Sequence, residues 1–250
     1  MQAPDVLFED ENLLVVNKTS GLAVHRGWAS DVQTFVGIVR QTIARGAVPC
    51  HRLDRGTSGA IAFAKNPETA RAMRPLFDAG KVDKAYLLWT RGHCPEAGFI
   101  DYPLAKDKLS EKRPAQTSFR RLAVSEFANE EQPDYPRRYS LVLARPHTGR
   151  VHQIRRHLRH LSHPLIGDTR YGKKEHNQYC SSAFGLNRLA LHACHLRFEH
   201  PSNRQVIECR AELPPDLMSA LTAVGFAQAA TEALAQPIWD SARDELPRVG

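Results

Sequence analysis

The stretch that decides the fold is HRLDRGTSG, residues 51–59. It places a single carboxylate, Asp54, between two arginines, and a nearby positive charge favours the ionised form of a carboxyl group. Gly56 and Gly59 have no Cβ atom and accept positive φ, so this backbone can approach a ligand closely. The stretch therefore predicts a tight loop that presents a charged nucleophile or base. The alternative is an ordinary turn capped by Asp54, with both arginines on the surface.

Residue patterns on either side of this loop predict more strands than helices. Strands are predicted at 6–8, 13–16, 61–64, 84–89, 116–127, 139–145, 189–198 and 205–213, with hairpins formed by the first pair and the last pair. Helices are predicted at 31–45, 67–80, 151–161 and 215–226. Asn66 caps the second of these helices, and Pro75 is expected to kink or break it. Because no βαβαβ alternation occurs, the pattern is typical of an α+β fold with a largely antiparallel sheet.

The charge balance indicates a polyanionic partner. The chain has 34 Lys and Arg against 27 Asp and Glu, a formal net charge of +7, and 12 histidines besides. Such a balance is typical of nucleic-acid binding, although a merely soluble basic protein is the alternative. The five cysteines include no CxxC pair, which favours a reducing cytosol over a disulfide framework or a zinc ribbon. We expect a cytoplasmic protein without a signal peptide, a membrane span or a membrane partner.

Residues 151–161 predict a helix with one buried stripe, formed by Val151, Ile154, Leu158 and Leu161. At about 100° per residue, Arg155 falls at the edge of this stripe and is expected to be half-buried. A buried charge needs a partner, for which Asp54 is attractive and another acid is the alternative.

The opposite side of the same helix predicts a cationic face suited to phosphates. This face would carry Arg156, Arg159 and His160, although an ordinary exposed helix explains the pattern too. The preceding turn, residues 147–150, contains a glycine, and its backbone amides could hold a phosphate. The histidines of this region have no recognised ligand spacing, so we expect no metal site.

Four motifs, in this order, strongly resemble the RluA-type family of pseudouridine synthases. They are HRLDRGTSG at 51–59, KAY at 84–86, HTGRVHQIR at 147–155 continuing into HPLIGDTRYG at 163–172, and RLALHA at 188–193. The resemblance covers residues 5–213 and implies a mostly antiparallel mixed sheet in two lobes, flanked by helices, with a central active-site cleft. We assign residues 1–228 to this catalytic domain, with no S4-type RNA-binding domain, and 229–250 to a weakly structured tail.

The resemblance also implies site roles. Pseudouridylation breaks the N1–C1′ bond of uridine, turns the uracil and joins C5 to C1′, so it implies no cofactor. Asp54 would attack C1′ or take the C2′ proton, and Arg155 would keep it anionic. Tyr86 would stack on the everted uracil, Arg52 would fill the gap in the RNA, and Leu191 would pack beneath the site. The alternatives are a core tyrosine for Tyr86, a phosphate contact for Arg52 and plain core packing for Leu191.

Some features resemble a tRNA-specific subgroup: VHRGW at 24–28, the paired arginines 155–156, and FGL at 184–186. This implies an enzyme that isomerises the T-stem uridine at position 65 of tRNA, and we expect a monomer. The other residues expected to contact RNA are Arg55, Thr57, Arg150, His152, Gln153, Arg156 and Arg159. One alternative is an rRNA- or anticodon-directed member of the family. Another is an RNA-binding protein or chaperone whose catalysis is secondary.

Overall fold

The computed structural model describes residues 3–26, 33–107, 109–236 and 246–250. The strands are β1 (Val6–Glu9), β2 (Leu13–Lys18), β3 (Val48–Pro49), β4 (Ser58–Ala64), β5 (Asp83–Arg91), β6 (Ala97–Asp101), β7 (Leu104–Ala105), β8 (Lys112–Arg113), β9 (Gln116–Phe127), β10 (Arg137–Pro146), β11 (Leu191–Glu199) and β12 (Val206–Arg210). The helices are α1 (Phe35–Thr42), α2 (Pro67–Asp78), α3 (Gln153–His160), α4 (Lys174–Phe184), α5 (Pro215–Ala223) and α6 (Ala227–Ala235). The predicted α+β class is confirmed. No described helix combines the length and the apolar character that crossing a bilayer requires.

The chain forms two compact units, each built from separated segments. Unit 1 comprises Met1–Lys84 and His192–Pro214, and unit 2 comprises Ala85–Leu191 and Pro215–Gly250. In unit 1 the strand order is β1-β2-β4-β11-β12, and β3 pairs with β4. The β4–β11 pair is parallel and the other pairs of this unit are antiparallel, so the sheet is mixed. Both predicted hairpins, β1–β2 and β11–β12, are confirmed.

Helix α2 packs on the sheet of unit 1 through Met73, which is fully buried among residues of β2, β4, β11 and β12. The predicted cap is confirmed, because Asn66 Oδ1 accepts the Thr69 N–H at 2.8 Å. The helix nevertheless continues through Pro75 to Asp78, so the predicted break is wrong. The proline lies in the last turn, where it removes one hydrogen bond, and its carbonyl still accepts the Ala79 N–H at 2.9 Å.

Of the two loop glycines, Gly59 has a positive φ of 111°, whereas the φ of Gly56 is not positive. Gly59 pairs with Ala193 across the parallel β4–β11 contact, and a Cβ atom at Gly59 would lie 2.2 Å from the Ala193 carbonyl oxygen. The atoms that this Cβ atom would meet all belong to the backbone of Ala193, so the backbone of one of the two strands would have to shift.

We predict that Gly59→Ala lowers the free energy of unfolding by about 3 kcal/mol, from overpacking and left-handed strain together. Gly149→Ala is the matched control, because a Cβ atom there meets nothing within 4 Å and φ is not positive. The control should change stability by less than about 0.5 kcal/mol. Urea unfolding of both variants measures the difference, and equal effects would show that the β4–β11 contact is not tight.

Unit 2 contains an antiparallel sheet in the order β5-β10-β9-β6. Its core includes Trp89, which is fully buried and contacts Tyr139 and Phe226 edge-on, with centroids 5.8 and 6.1 Å apart. Residues 105–115, for which the sequence predicts neither a strand nor a helix, contain part of the short β7–β8 hairpin. The strands of this hairpin are two residues each, one strand apolar and the other basic, and are too short to show the alternation on which a strand prediction rests.

Part of the segment 229–250, which is expected to be weakly structured, is helical. Helix α6 begins at Ala227 and continues to Ala235, which agrees with the high helix propensity of its alanines. Near the end of the chain, the Phe99 N–H of β6 bonds to the Pro247 carbonyl at 2.9 Å, and the Val249 N–H bonds to the Phe99 carbonyl at 3.1 Å. The described terminal residues therefore extend the hydrogen bonding of β6.

Candidate active site

The loop of residues 51–59 lies between β3 and β4 in unit 1. Asp54 is half-buried, and its carbonyl accepts the Thr57 N–H at 3.0 Å, which closes the predicted tight turn. The side chains of Arg52 and Arg55 are exposed. Thr57 is buried, and its hydroxyl oxygen has no hydrogen-bond partner among the described residues. The predicted contact of Thr57 with RNA stays a prediction.

A buried lysine, Lys18, holds this loop to the end of β2. Its ammonium donates to the carbonyls of Thr19, Leu22 and Arg55, at 2.7, 2.7 and 3.3 Å. The Ser20 hydroxyl adds a bond to the Gly56 carbonyl at 2.8 Å. Lys18 is only 1% exposed, and a charge at such burial needs several partners. This role of Lys18 was not predicted, although its position at the end of an apolar strand was the available signal.

His51 fixes the start of the loop. Its Nε2 accepts the Ala62 N–H of β4 at 3.0 Å, and its ring stacks on Phe77 with centroids 5.0 Å apart. Burial, together with the positive charge of Lys84, lowers the pKa of His51 to about 3. The ring is therefore neutral at physiological pH, and it anchors the loop instead of exchanging protons.

The end of the loop is tied to β11 by a buried pair, Ser58 and His192. Nε2 of His192 donates to the Ala211 carbonyl at 3.0 Å, because a carbonyl can only accept. Nδ1 must therefore accept, and it receives the Ser58 hydroxyl at 2.8 Å. The residues of two separate sequence motifs thus meet in unit 1 and fix the backbone that presents Asp54.

In unit 2, Arg155 of α3 is buried and forms a two-pronged ion pair with Asp168. Nε lies 2.7 Å from Oδ2, and Nη2 lies 2.9 Å from Oδ1. The same Oδ1 accepts the N–H groups of Arg170 and Tyr171, each at 2.9 Å. Burial alone would raise the pKa of Asp168, but the bonds from Arg155 and the two backbone amides hold it below its ordinary value.

The predicted burial and pairing of Arg155 are therefore found, with another acid as the partner. Sequence analysis placed Asp168 within a motif but assigned it no role. The available signal was that a buried arginine requires an acid, and Asp168 follows it by 13 residues. A pairing of Arg155 with Asp54 stays a prediction.

His152 precedes α3 in a left-handed conformation, with φ 53° and ψ 31°. Its Nδ1 is hydrogen-bonded to the Tyr171 hydroxyl at 3.0 Å. Guanidinium carbons of Arg155, Arg159 and Arg170 lie 5.1, 5.8 and 5.4 Å from the centre of the Tyr171 ring. Left-handed backbone is uncommon outside glycine and concentrates at functional sites. The turn also explains why α3 begins at Gln153, two residues after the predicted start.

Gln153 is buried and makes four hydrogen bonds within the protein, and its predicted contact with RNA stays a prediction. Its Oε1 accepts the Thr148 hydroxyl at 2.6 Å and the Arg150 N–H at 3.0 Å. Its Nε2 donates to the Gln116 carbonyl at 2.9 Å and to the Thr117 hydroxyl at 3.0 Å. All four hydrogen-bonding positions of the amide are thereby used.

The turn at 147–150 is less open to a phosphate than predicted. The amide of Arg150 bonds to Gln153, and that of His147 donates to the Gln116 carbonyl at 2.9 Å.

Within the described residues, no group of three His, Cys, Asp or Glu side chains could hold a metal ion.

The remaining predicted site residues differ in exposure. Tyr86 lies in β5 opposite Ala144 of β10 and is 9% exposed. Leu191 begins β11 and is buried, which suits the core-packing alternative. Arg159 is exposed, whereas Arg156 is half-buried and donates from Nη1 to the Ala105 carbonyl at 2.7 Å. The predicted cationic face is therefore partly held by bonds within the protein.

Comparison with known proteins gives one consistent result. The family described as RNA pseudouridylate synthase matches residues 12–160. The chain is 42% identical over 220 residues to tRNA pseudouridine synthase C of Haemophilus ducreyi, covering 84% of this chain and 90% of that protein. It is 37% identical over 234 residues to tRNA pseudouridine synthase C of Vibrio cholerae, covering 89% and 96%. Among solved structures, human RNA pseudouridylate synthase domain containing 1 superposes with a TM-score of 0.71 at 26% identity, covering 95% of this chain and 97% of that one.

Proposed function

This chain belongs to the RluA-type family of RNA pseudouridine synthases, and we propose that its substrate is the uridine at position 65 in the T-stem of tRNA. The observation that carries the proposal is the identity to enzymes named tRNA pseudouridine synthase C over 90% and 96% of their lengths. The paired arginines 155–156 and the FGL of 184–186 support the same subgroup. Gly27 and Trp28, which also suggested it, lie outside the described residues.

In this proposal Asp54 acts on the ribose of the target nucleotide. Its carboxylate attacks C1′ or removes the C2′ proton, and either route releases the N1–C1′ bond. The uracil stays in the site, turns, and forms the C5–C1′ bond, so a single carboxylate suffices where glycosidases use two. The anchors formed by Lys18, His51 and Ser58 support the proposal, because they hold the backbone of the loop that carries Asp54.

The other proposed roles are those that the family resemblance implies. Arg155, fixed by its pair with Asp168, orients the Asp54 carboxylate. Tyr86 supplies the π surface against which an everted uracil stacks. Arg52 is exposed and has a planar guanidinium, which suits the gap that the everted nucleotide leaves in the RNA.

We predict that Arg156→Ala and Arg159→Ala each weaken tRNA binding and reduce its dependence on salt. Removing one phosphate-binding cation should lower the slope of log K against log salt by about 0.7 to 0.9. Arg74→Ala is the control, because that side chain is 84% exposed on α2. Filter binding between low and moderate salt gives the slopes. An unchanged slope in both α3 variants would mean that this face of the helix does not bind RNA.

The substrate proposal is tested by mapping pseudouridines in total RNA from a strain that lacks the gene. Carbodiimide treatment followed by primer extension should show loss of the modification at tRNA position 65 and nowhere else. Loss at an rRNA or anticodon position instead would replace the proposed substrate with that of the alternative family members. Re-expression of the Asp54→Ala protein should not restore the modification.

A further inference from the structure

The β7–β8 hairpin carries none of the four motifs, yet arginines from the region of α3 bind it at both of its ends. Arg156 Nη1 donates to the carbonyl of Ala105, at the end of β7, at 2.7 Å. Arg150 Nε donates to the carbonyl of Pro114, directly after β8, at 3.0 Å. A guanidinium has five N–H donors, so each arginine retains donors after making its bond to the hairpin. These bonds thus hold the two side chains in place and leave other N–H donors of each guanidinium for a ligand.

Tyr102 connects the same two elements a second time. Its ring stacks on His160 of α3, with centroids 3.8 Å apart and an interplanar angle of 19°, and Lys112 Nζ of β8 lies 5.5 Å from its centre. A cation within about 6 Å of an aromatic centroid is held by the ring quadrupole. The backbone of Tyr102 is fixed as well, because its carbonyl bonds to His157 Nε2 at 3.0 Å and its N–H to the Ala115 carbonyl at 3.2 Å.

The described residues of the hairpin carry one more exposed cation than exposed acid. The cations are Lys106, Lys112 and Arg113, and the acids are Asp107 and Glu111. The Asp107 carboxylate is engaged in its own turn, where it accepts the Ser110 hydroxyl at 2.7 Å and the Leu109 N–H at 3.0 Å. A surface of this kind favours a polyanion.

We propose that the hairpin and the outer side of α3 form one phosphate-binding surface for the RNA substrate. This hairpin surface consists of Tyr102, Lys112, Arg113, Arg150 and Arg156. This surface binds the phosphate backbone of the base-paired strand that carries the target uridine. The identification of that strand as part of a tRNA stem rests on the proposed function. Cations that are already fixed lose little conformational entropy on binding, and guanidiniums match phosphate oxygens in pairs.

The test measures the dissociation constant of a tRNA transcript as a function of salt, in an Asp54→Asn background so that the RNA remains unmodified. Replacing Lys112 and Arg113 together by alanine should raise the dissociation constant at least about tenfold and lower the salt slope by about 1.4 to 1.8, two phosphate contacts. Arg74→Ala, on α2, is the matched control and should leave both quantities unchanged.

Tyr102 supplies a second test, because the residue itself is uncharged. Tyr102→Leu removes the aromatic ring that holds the Lys112 ammonium. It should raise the dissociation constant about three- to tenfold, since less ordered cations bind less tightly. Tyr102→Phe keeps the ring and should remain within about twofold of the parent. Thermal unfolding of each variant checks that the fold persists.

The proposal is overturned if the Lys112 and Arg113 replacement leaves affinity and slope at their parent values, or if Tyr102→Leu binds as tightly as Tyr102→Phe. Failure of the proposed function has a different signature. In that case the wild-type protein would leave uridine 65 unmodified. If only this inference fails, the wild-type protein is active, and substitutions in the hairpin surface leave the dissociation constant for RNA unchanged.

Discussion

Asp54→Asn is expected to abolish pseudouridine formation, lowering the rate at least about a thousandfold, because an amide neither attacks C1′ nor accepts the C2′ proton. The change is nearly isosteric and leaves the carbonyl that closes the turn with Thr57 in place. Affinity for tRNA should change less than about tenfold, because phosphate contacts supply most of it. Nucleoside analysis of treated tRNA measures the rate, and filter binding measures the affinity.

The matched control for this prediction is Asp78→Asn, an exposed acid at the end of α2 whose side chain is 74% accessible. It should retain activity within about twofold, since surface substitutions away from special features rarely matter. If Asp54→Asn retained comparable activity, or if it lost RNA binding to the same degree as turnover, the proposed role at the ribose would be wrong.

Asp168→Ala is expected to lower the free energy of unfolding by about 4 kcal/mol, because it leaves the buried Arg155 without its ion-pair partner. Asp168 is 1% exposed, so solvent does not screen the pair. Urea unfolding of the variant measures the loss. The double variant Arg155→Met, Asp168→Leu removes both charges and should recover about half of the loss, because the N–H groups of Arg170 and Tyr171 still lack their acceptor, and it should remain inactive. Equal destabilisation by the single and double variants would mean that cavity formation and the lost acceptor of these two N–H groups, and not the unpaired charge, dominate.

The same ion pair predicts a dependence on pH. The pKa of Asp168 is lower in the folded protein than in the unfolded chain, whose value is about 3.9. The carboxylate therefore contributes its full stabilisation above that unfolded value and loses it as pH falls through the lower folded pKa. The difference in stability between the wild type and Asp168→Ala should be constant near neutral pH and should narrow below about pH 4.

Local signals in the sequence were sufficient for much of the fold. The Asn66 cap acts within three residues, and the β1–β2 hairpin needs only two apolar runs around a polar turn. The burial of Arg155 followed from the helical period, because one face of α3 carries the apolar residues. Each of these features is decided by neighbours in the chain.

What the sequence did not yield depends on contacts between distant segments. The ion pair of Arg155 with Asp168 joins residues 13 positions apart, and the hydrogen bond from Lys18 to the Arg55 carbonyl joins residues 37 positions apart. No local pattern encodes either contact. Helix α6 was missed for another reason, because its alanine-rich sequence forms a helix without a strong contrast between two faces. The left-handed backbone of His152 occurs together with its hydrogen bond to Tyr171, a residue 19 positions further along the chain.

The central claim, that the Asp54 carboxylate acts on the ribose of the target nucleotide, is tested most directly by single-turnover release of tritium from tRNA labelled at C5 of uridine. Excess enzyme removes any difference in affinity, and each C5–C1′ bond formed expels one C5 hydrogen. The wild type should release tritium stoichiometrically, and Asp54→Asn should release none above background. Release by Asp54→Asn at a rate close to that of the wild type would show that the carboxylate is not required.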